Sequence, residues 1–395
     1  MDPEFIPFHR PSIGEEEVRA VAEVLRLGWL TMGPKTREFE QAFAEYIGCR
    51  YAIAVSSCTA ALHLALDAIG LKPGEEVIVP TNTFTATAAV VAHSGGRIVF
   101  ADTLENGFNI DSNSTELKIS PRTRAVIAVH VAGEPCNMDA LERLGKRHQL
   151  TIIEDAAHAL PAAWLGHMIG TISPLTAFSF YATKTLTTGE GGMLTTDCES
   201  MAERAQVMRL HGISRDAWNR YSGEGTWHYE VMDAGFKYNM TDFQAALGLC
   251  QLRRANEFLR KREQIAQSYR DLLSDVEEIE LPSVGPEIRH AWHLFIIRLR
   301  LEKLNITRNL FIEELWKSGI GTSVHFIPLH LHPYYSTVLG YRRGDFPNAE
   351  RTFDRCISLP IFPSMQPGEV ERVASTVRRI CKEYCIAQVY YAADV

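Results

Sequence analysis

Between Tyr51 and Asp197 the sequence alternates short apolar, β-branched runs with stretches of helical periodicity. The strand-like runs are YAIAV (51–55), EVIVP (76–80), RIVFAD (97–102), RAVIAVHV (124–131), LTIIED (150–155), TAFSFY (176–181) and GGMLTTD (191–197). Strands that are apolar on both faces and separated by helices are typical of a mostly parallel sheet that helices cover on both sides. The alternation therefore predicts an α/β domain.

The flanking regions predict a helix before this sheet and a smaller domain after it. The segment 15–28 has helical periodicity, and GWLTMGPK (28–35) interrupts it with glycine and proline. A long amphipathic run at 241–273 is expected to carry the chain out of the first domain. The remainder predicts strands in HLFIIRLRL (293–301) and SVHFI (323–327), and helices near 307–318 and from 367. We therefore predict a large α/β domain at 6–255 and a small C-terminal α+β domain at 256–395.

Charge and cysteine usage favour an enzyme that acts on small molecules. The formal net charge is −8, so the sequence lacks the basic surplus typical of proteins that bind nucleic acid or anionic membranes. The eight cysteines are scattered, with no C-x-x-C pair and no histidine tract at zinc spacing. The sequence contains neither a signal-peptide pattern nor an apolar run of about 18 to 20 residues. These features predict a cytoplasmic enzyme that lacks metal, nucleic-acid and membrane partners.

Polar residues that follow the predicted strands are candidates for a site, because ligands of open parallel sheets bind beyond the carboxyl ends of the strands. After YAIAV, the residues Ser56, Ser57 and Thr59 lie where the next helix begins. Free N–H groups and hydroxyls at a helix start can bind a phosphate, and the same residues can equally be a plain helix cap.

Two further strand ends carry ionisable residues. LTIIED ends in Asp155, and Lys184 follows TAFSFY. Lys184 can be a partly desolvated Schiff-base nucleophile or an ordinary loop lysine that extends to water. Asp155 can likewise be a functional acid or a purely structural one. A phosphate-binding helix start, an acid that pairs with a pyridine nitrogen and an imine-forming lysine are together what pyridoxal phosphate requires. No G-x-G-x-x-G follows a strand, so the sequence does not indicate a dinucleotide.

The sequence resembles the DegT/DnrJ/EryC1/StrS family of sugar aminotransferases, which are pyridoxal-phosphate enzymes of fold type I. The resemblance covers nearly the whole chain. It is carried by RPSIGEEEVRAVAEVLRLGWLTMGPK, SSCTAALHLAL, EVIVPTNTFTATA, VHVAGEPCNMDAL, IIEDAAHA, FSFYATKTLTTGEGG, GFKYNMTDFQAALG, HAWHLFIIRL and VHFIPLHLHPYY.

This resemblance implies a role for individual residues at the cofactor. Lys184 would form the imine with pyridoxal phosphate and move protons, and Asp155 would keep the pyridine nitrogen protonated. His158 would lie near the cofactor's 3-hydroxyl, and Phe84 would stack on its ring. Family members that became sugar dehydratases lack a lysine at this position, so the presence of Lys184 favours an aminotransferase.

The resemblance also implies how the cofactor phosphate is bound. Cys58, Thr59 and Ser179 would bind it, and Asn239 would reach it from the neighbouring subunit, which requires a homodimer. Cys58 stands where many relatives have glycine or alanine, a change that a backbone contact tolerates.

The expected reaction moves an amino group from L-glutamate to a nucleotide-linked keto sugar, with a UDP-4-keto sugar as the first candidate and pyridoxamine phosphate as the intermediate form of the cofactor. Thr31, His325 and Tyr335 would line the sugar site. His330, His332, Tyr334 and Tyr335 could equally form an amphipathic loop between domains. Two other functions stay open: an inosose (cyclitol) aminotransferase and a regulatory protein that binds pyridoxal phosphate without turnover.

Overall fold

The computed structural model describes residues 5–214 and 228–386. In the first part of the chain the helices are α1 (Glu15–Leu27), α2 (Pro34–Ile47), α3 (Cys58–Ala68), α4 (Thr85–His93), α5 (Ser112–Glu116), α6 (Met138–His148) and α7 (Glu199–Met208). The later helices are α8 (Asp242–Arg253), α9 (Ala255–Leu273), α10 (Arg308–Lys317), α11 (Pro333–Leu339), α12 (Pro347–Arg355) and α13 (Pro367–Glu383).

The strands of the first part are β1 (Tyr51–Val55), β2 (Glu76–Pro80), β3 (Arg97–Ala101), β4 (Thr123–Val129), β5 (Thr151–Asp155), β6 (Ala163–Trp164), β7 (His167–Met168), β8 (Leu175–Ser179) and β9 (Gly192–Thr196). The later strands are β10 (Ile279–Glu280), β11 (Ile288–Arg289), β12 (Phe295–Leu299) and β13 (Cys356–Leu359).

The large sheet has the strand order β1-β9-β8-β5-β4-β2-β3. Within it β9 runs antiparallel to both of its neighbours, and the pairings of β8, β5, β4, β2 and β3 are parallel. The prediction of a mostly parallel α/β sheet is therefore confirmed, and six of its strands end at the same edge.

Helices cover both faces of this sheet, as the two-sided apolar strands predicted. Along β1, Ala52 and Ala54 belong to one core cluster, while Ile53 and Val55 belong to the other. This alternation follows from the two-residue period of a strand. Each fully buried aliphatic or aromatic side chain stabilises such a core by about 1.5 to 3 kcal/mol. Both faces of the sheet are thus covered by helices, so the ends of the strands are where a site can form.

The C-terminal part contains a three-stranded antiparallel sheet of order β10-β12-β13. Its core cluster includes residues of α9, α10 and α13. The long run at 241–273 is two helices, α8 and α9, which meet at Arg254. Leu329, Tyr335 and Phe346 pack in the core of the large sheet. The division at residues 255 and 256 stays a prediction.

The predicted strand at 323–327 is wrong. Within it Ser323 alone forms a bridge, with Ser358. The chain then turns away, because His325 bonds the Ser358 side chain and the Phe326 N–H donates to Asn82 Oδ1 at 3.2 Å. None of the described helices is long and apolar enough to cross a bilayer.

Candidate active site

The turns that follow β1, β5 and β8 meet at one edge of the large sheet because these strands run in the same direction. Cys58 begins α3 just after β1, Asp155 is the last residue of β5, and Lys184 lies in the turn after β8. Cys58 Sγ lies 3.8 Å from Asp155 Oδ1, and Lys184 acts electrostatically on both residues. The structure therefore brings together the three strand ends that the sequence singled out.

Asp155 is 4% exposed at the end of β5. Its Oδ2 accepts a hydrogen bond of 2.8 Å from Thr87 Oγ1, and its Oδ1 accepts one of 3.1 Å from the Ala157 N–H. Burial raises the pKa of Asp155, and these two donors and the charge of Lys184 counter only part of that rise. Hydrogen-bond donors aimed at a buried carboxyl favour its charged form, so the site is built to hold an anion opposite Lys184.

Lys184 lies in the turn after β8, where its N–H donates to the Tyr181 carbonyl at 2.9 Å. Burial lowers the pKa of its ammonium group to about 8, although the negative charge of Asp155 opposes the shift. An amine with such a pKa is partly neutral near physiological pH. A neutral amine is the form that attacks a carbonyl.

The start of α3 is a candidate phosphate site. Ser57 caps the helix, since its Oγ accepts from the Ala60 N–H at 3.1 Å. The N–H groups of Cys58 and Thr59 lie in the first turn and have no acceptor within the helix. The alternatives left open by the sequence are thus compatible: Ser57 is the cap, and the next two N–H groups point beyond the helix, where an anion is favoured.

Gly192 lets the sheet approach this helix start closely. A Cβ at Gly192 would lie 2.4 Å from the carbonyl carbon of Ser57 and 2.6 Å from the backbone nitrogen of Cys58. In register, Gly192 is opposite both Val55 and Ser179. Ser179 is buried, and its Oγ accepts from the Tyr181 N–H at 3.3 Å. The hydroxyl of Ser179 and the free N–H groups of α3 fit a phosphate.

His158 is a buried, neutral histidine. Its Nδ1 accepts a hydrogen bond of 3.2 Å from the Ala132 N–H. Burial lowers its pKa well below the usual range, and the charges of Lys184 and His325 add to the effect. Because Nδ1 accepts, the proton of the neutral ring is on Nε2. Nε2 can therefore donate to an oxygen such as the cofactor's 3-hydroxyl.

Phe84 lies immediately before α4, and 62% of its side chain is exposed. Its ring centre is 6.2 Å from that of Phe326, and Phe326 in turn stacks on His158 at 5.8 Å. An exposed phenyl ring beside the buried residues of the site can stack on a planar ligand.

Asn239 lies opposite Val55 of its own chain, at the edge of the large sheet. Its Nδ2 donates to the Met240 carbonyl at 3.3 Å, and its Oδ1 accepts from Lys237 Nζ. A contact to a neighbouring subunit's phosphate stays a prediction.

The three residues expected at the sugar site have different surroundings. His325 is partly buried, with Nδ1 2.8 Å from Ser358 Oγ and its ring 6.2 Å from that of His158. Burial lowers its pKa to about 4. Thr31 is exposed in the loop between α1 and α2.

Tyr335 is 3% exposed, its hydroxyl lies 2.7 Å from Thr85 Oγ1, and its ring packs on Phe100. Tyr335 lies in α11 rather than in a loop, its side chain packs in the core of the large sheet, and its role at the sugar site stays a prediction. His330 is also buried, between Thr81 and Glu350 at 2.7 and 2.9 Å.

The sequence did not single out Asp242, although it anchors the Thr31 loop. This carboxylate is 2% exposed and accepts from the N–H groups of Gly33, Lys35 and Thr36 and from Thr36 Oγ1 at 2.7 to 3.1 Å. The Asp242 N–H also donates to the Thr31 carbonyl at 3.2 Å. Asp242 thus caps α2 and fixes the loop.

We expect Asp242→Ala to lower the free energy of unfolding by about 2 to 4 kcal/mol, because several buried N–H groups lose their acceptor. Asp242→Asn should cost less, since its one oxygen still accepts. Urea unfolding of both variants is the measurement, and equal stability of Asp242→Ala and the wild type would contradict the anchoring role.

His293 and Thr87 were also missed. The ring of His293 lies 4.3 Å from that of His158, and it is 5% exposed. Its Nδ1 has no hydrogen-bond partner within the described residues. His293 belongs to the HAWHLFIIRL segment, whose two histidines three residues apart were a signal in the sequence. Thr87 lies in the first turn of α4, and its hydroxyl is 2.8 Å from that of Thr83, which precedes the helix.

Comparison with known proteins identifies the family. The family model described as "DegT/DnrJ/EryC1/StrS aminotransferase family" matches residues 11–378. The chain is 48% identical over 379 residues to the spore coat polysaccharide biosynthesis protein SpsC of Bacillus subtilis, covering 96% of this chain and 97% of SpsC. The structure of Streptococcus pneumoniae Spr1654 in its PMP form has a TM-score of 0.91 and 34% identity, covering 96% and 99% of the two chains. That of the sugar aminotransferase CalS13 from Micromonospora echinospora has a TM-score of 0.85 and 28% identity, covering 95% and 99%. The chain belongs to the DegT/DnrJ/EryC1/StrS aminotransferase family.

Proposed function

We propose that this protein is a pyridoxal-phosphate-dependent sugar aminotransferase. It moves an amino group from L-glutamate to the keto carbon of a nucleotide-linked sugar, with a UDP-4-keto sugar as the first candidate. The observation that carries the proposal is that the buried, hydrogen-bonded Asp155 and Lys184 interact electrostatically at the same sheet edge, where the pKa of Lys184 is lowered to about 8.

The relatives support both the cofactor and the class of substrate. Spr1654 has been solved in PLP and PMP forms, CalS13 is a sugar aminotransferase, and SpsC belongs to spore coat polysaccharide biosynthesis. We therefore propose pyridoxal phosphate as the cofactor of this chain and a keto sugar as its substrate.

The residues of the site fit pyridoxal phosphate. The N–H groups of Cys58 and Thr59 and the hydroxyl of Ser179 would hold its phosphate, Asp155 its ring nitrogen and His158 Nε2 its 3-hydroxyl, with Phe84 against the ring. When bound, this cofactor withdraws the electrons that a substrate's α-carbon gains on losing a proton.

Lys184 supplies the proton transfers. Its amine would hold the cofactor and, once freed by the amino donor, would accept the proton of the donor's α-carbon. The same amine would then pass that proton to the cofactor, and with the keto sugar it would move a proton in the opposite direction. A lysine whose pKa is close to the working pH is suited to both directions of transfer.

A homodimer follows from the proposed role of Asn239. Asn239 lies opposite Val55, at the end of the edge strand β1. We propose that each subunit supplies this side chain to the neighbouring site, so that isolated subunits would bind the cofactor more weakly than the dimer.

The lowered pKa of Lys184 predicts the pH dependence of cofactor binding. Below pH 8 the amine is mostly protonated and cannot attack the cofactor's aldehyde, whereas above pH 8 it is mostly neutral. We therefore expect the rate at which the cofactor-free protein takes up pyridoxal phosphate to rise through about pH 8 and then level off. Stopped-flow absorbance between pH 6 and 9.5 measures this rate. A flat profile would contradict the assignment of the reacting amine to Lys184.

A substrate panel tests the proposed reaction. The pyridoxamine form is prepared with glutamate, freed of 2-oxoglutarate, and offered UDP-, dTDP- and GDP-linked keto sugars and keto-inositol. The proposal predicts that a nucleotide-linked keto sugar restores the pyridoxal spectrum and yields an amino sugar by mass spectrometry. Conversion of keto-inositol alone would instead establish a cyclitol aminotransferase. Failure of glutamate to generate the pyridoxamine form would favour a regulatory protein.

A further inference from the structure

Asp155 is surrounded by donors on both of its oxygens. Thr87 Oγ1 donates to Oδ2 at 2.8 Å, the Ala157 N–H donates to Oδ1 at 3.1 Å, and Cys58 Sγ lies 3.8 Å from Oδ1. Thr87 is 0% exposed and Cys58 9%. These contacts are therefore shielded from water. Hydrogen bonds to a charge are strongest in such a shielded site.

The direction of each bond can be assigned. An ionised carboxylate only accepts, so the Thr87 hydroxyl must give its one proton to Asp155. Thr83 Oγ1 lies 2.8 Å from Thr87 Oγ1, and it must then donate to Thr87. Burial raises the pKa of the Cys58 thiol well above its usual range, so Cys58 keeps its proton and can donate it. A chain of hydrogen bonds thus runs from Thr83, which precedes Phe84, through Thr87 to Asp155.

We propose that Thr87, oriented by Thr83, and Cys58 are positioning residues that hold Asp155 ionised and aimed at the ring nitrogen of the cofactor. This inference rests on the proposed function, because the group that Asp155 faces is the proposed cofactor. Burial alone favours the protonated acid, which would itself donate a proton and could not stabilise a protonated ring nitrogen. The hydrogen bond from Thr87 opposes this tendency, and the Cys58 thiol lies where it can donate as well.

Thr87→Val tests the main contact, because valine keeps the shape of threonine and removes the hydroxyl. In the holoenzyme we expect the half-reaction with glutamate to slow and the dissociation constant for pyridoxal phosphate to rise, each by about tenfold or more, which is the effect of losing one hydrogen bond to a charge. Thr87→Ser should restore both values to within about threefold. Thr195→Val is a matched control, since Thr195 is fully buried and its hydroxyl bonds the Gly170 carbonyl.

A second readout does not depend on turnover or on the cofactor. In the cofactor-free protein, the Asp155 carboxyl carbon is followed by NMR against pH, with Asp155→Asn used to assign the signal. Loss of a donor to the charged form must raise the pKa, so Asp155 should titrate at a higher pH in Thr87→Val than in the wild type. This shift would support the inference even if the proposed reaction failed.

Cys58→Ala should produce smaller changes in the same direction, about two- to fivefold in the half-reaction, because a thiol is a weak donor. Cys58→Ser should match or exceed the wild type in retaining the cofactor. The inference is overturned if Thr87→Val leaves both the titration of Asp155 and the cofactor affinity unchanged, or if Thr87→Ser is as impaired as Thr87→Val. Unchanged behaviour of Cys58→Ala would overturn the part that concerns Cys58.

Discussion

Lys184→Ala is expected to lose at least about a thousandfold of the turnover rate together with the visible absorption band of the bound cofactor. The amine serves as covalent anchor and as acid and base, so its removal affects every step. Steady-state assays with glutamate and a keto sugar measure the rate, and absorbance spectroscopy measures the band. The fold should survive, because the side chain is partly buried in a turn and the turn's 2.9 Å bond to Tyr181 uses the backbone N–H.

Two variants control this result. Lys317→Ala removes an exposed lysine that pairs with Glu314 at 2.8 Å, and it should retain full activity. Lys184→Arg keeps a positive charge but cannot form the bond to the cofactor, so it should be inactive as well. Turnover of Lys184→Ala within a few fold of the wild type would remove Lys184 from the mechanism.

Asp155→Asn should keep the fold and reduce the rate of the half-reaction with glutamate by between about tenfold and a thousandfold. A neighbouring carboxylate shifts the protonation of a base by roughly 1 to 3 pKa units, each worth about 1.4 kcal/mol, and the amide removes this effect. The amide is nearly isosteric and can still accept from Thr87, so the packing of β5 should persist. Single-turnover absorbance after addition of glutamate measures the rate.

The matched change Asp275→Asn affects an exposed carboxylate that pairs with Arg378 at 2.7 Å, and it should leave the rate unchanged. Thermal unfolding of both variants separates a loss of chemistry from a loss of fold. Near wild-type kinetics in Asp155→Asn would show that Asp155 is a structural acid, the alternative that its sequence context left open.

The sequence predicted the large sheet well because its strands are buried on both faces. YAIAV is continuously apolar and EVIVP is apolar after its first residue, and the structure places β1 and β2 at the same residues. The SVHFI segment has a similar composition, yet Ser323 alone pairs there. Its side chains His325 and Phe326 instead face the site, a tertiary effect that local composition does not reveal.

The parts of the candidate site that follow strand ends were also predictable, since topology alone brings Asp155 and Lys184 to one edge. Asp242 and Thr87 were not, because their partners are distant in sequence: Gly33 lies 209 residues from Asp242, and Asp155 lies 68 residues from Thr87. A threonine in a helix can also bond its own backbone, so its residue type does not indicate a partner. Contacts that cross between subunits, as proposed for Asn239, depend on a second chain.

Borohydride trapping shows directly whether Lys184 is the residue that holds the cofactor. The protein is loaded with pyridoxal phosphate, treated with borohydride to fix the bond between lysine and cofactor, digested and analysed by mass spectrometry. We expect the added mass on Lys184, in the peptide that contains FSFYATKTLTTGEGG, with one label per chain. A label on another lysine, or no label on a protein that retains the cofactor, would contradict it.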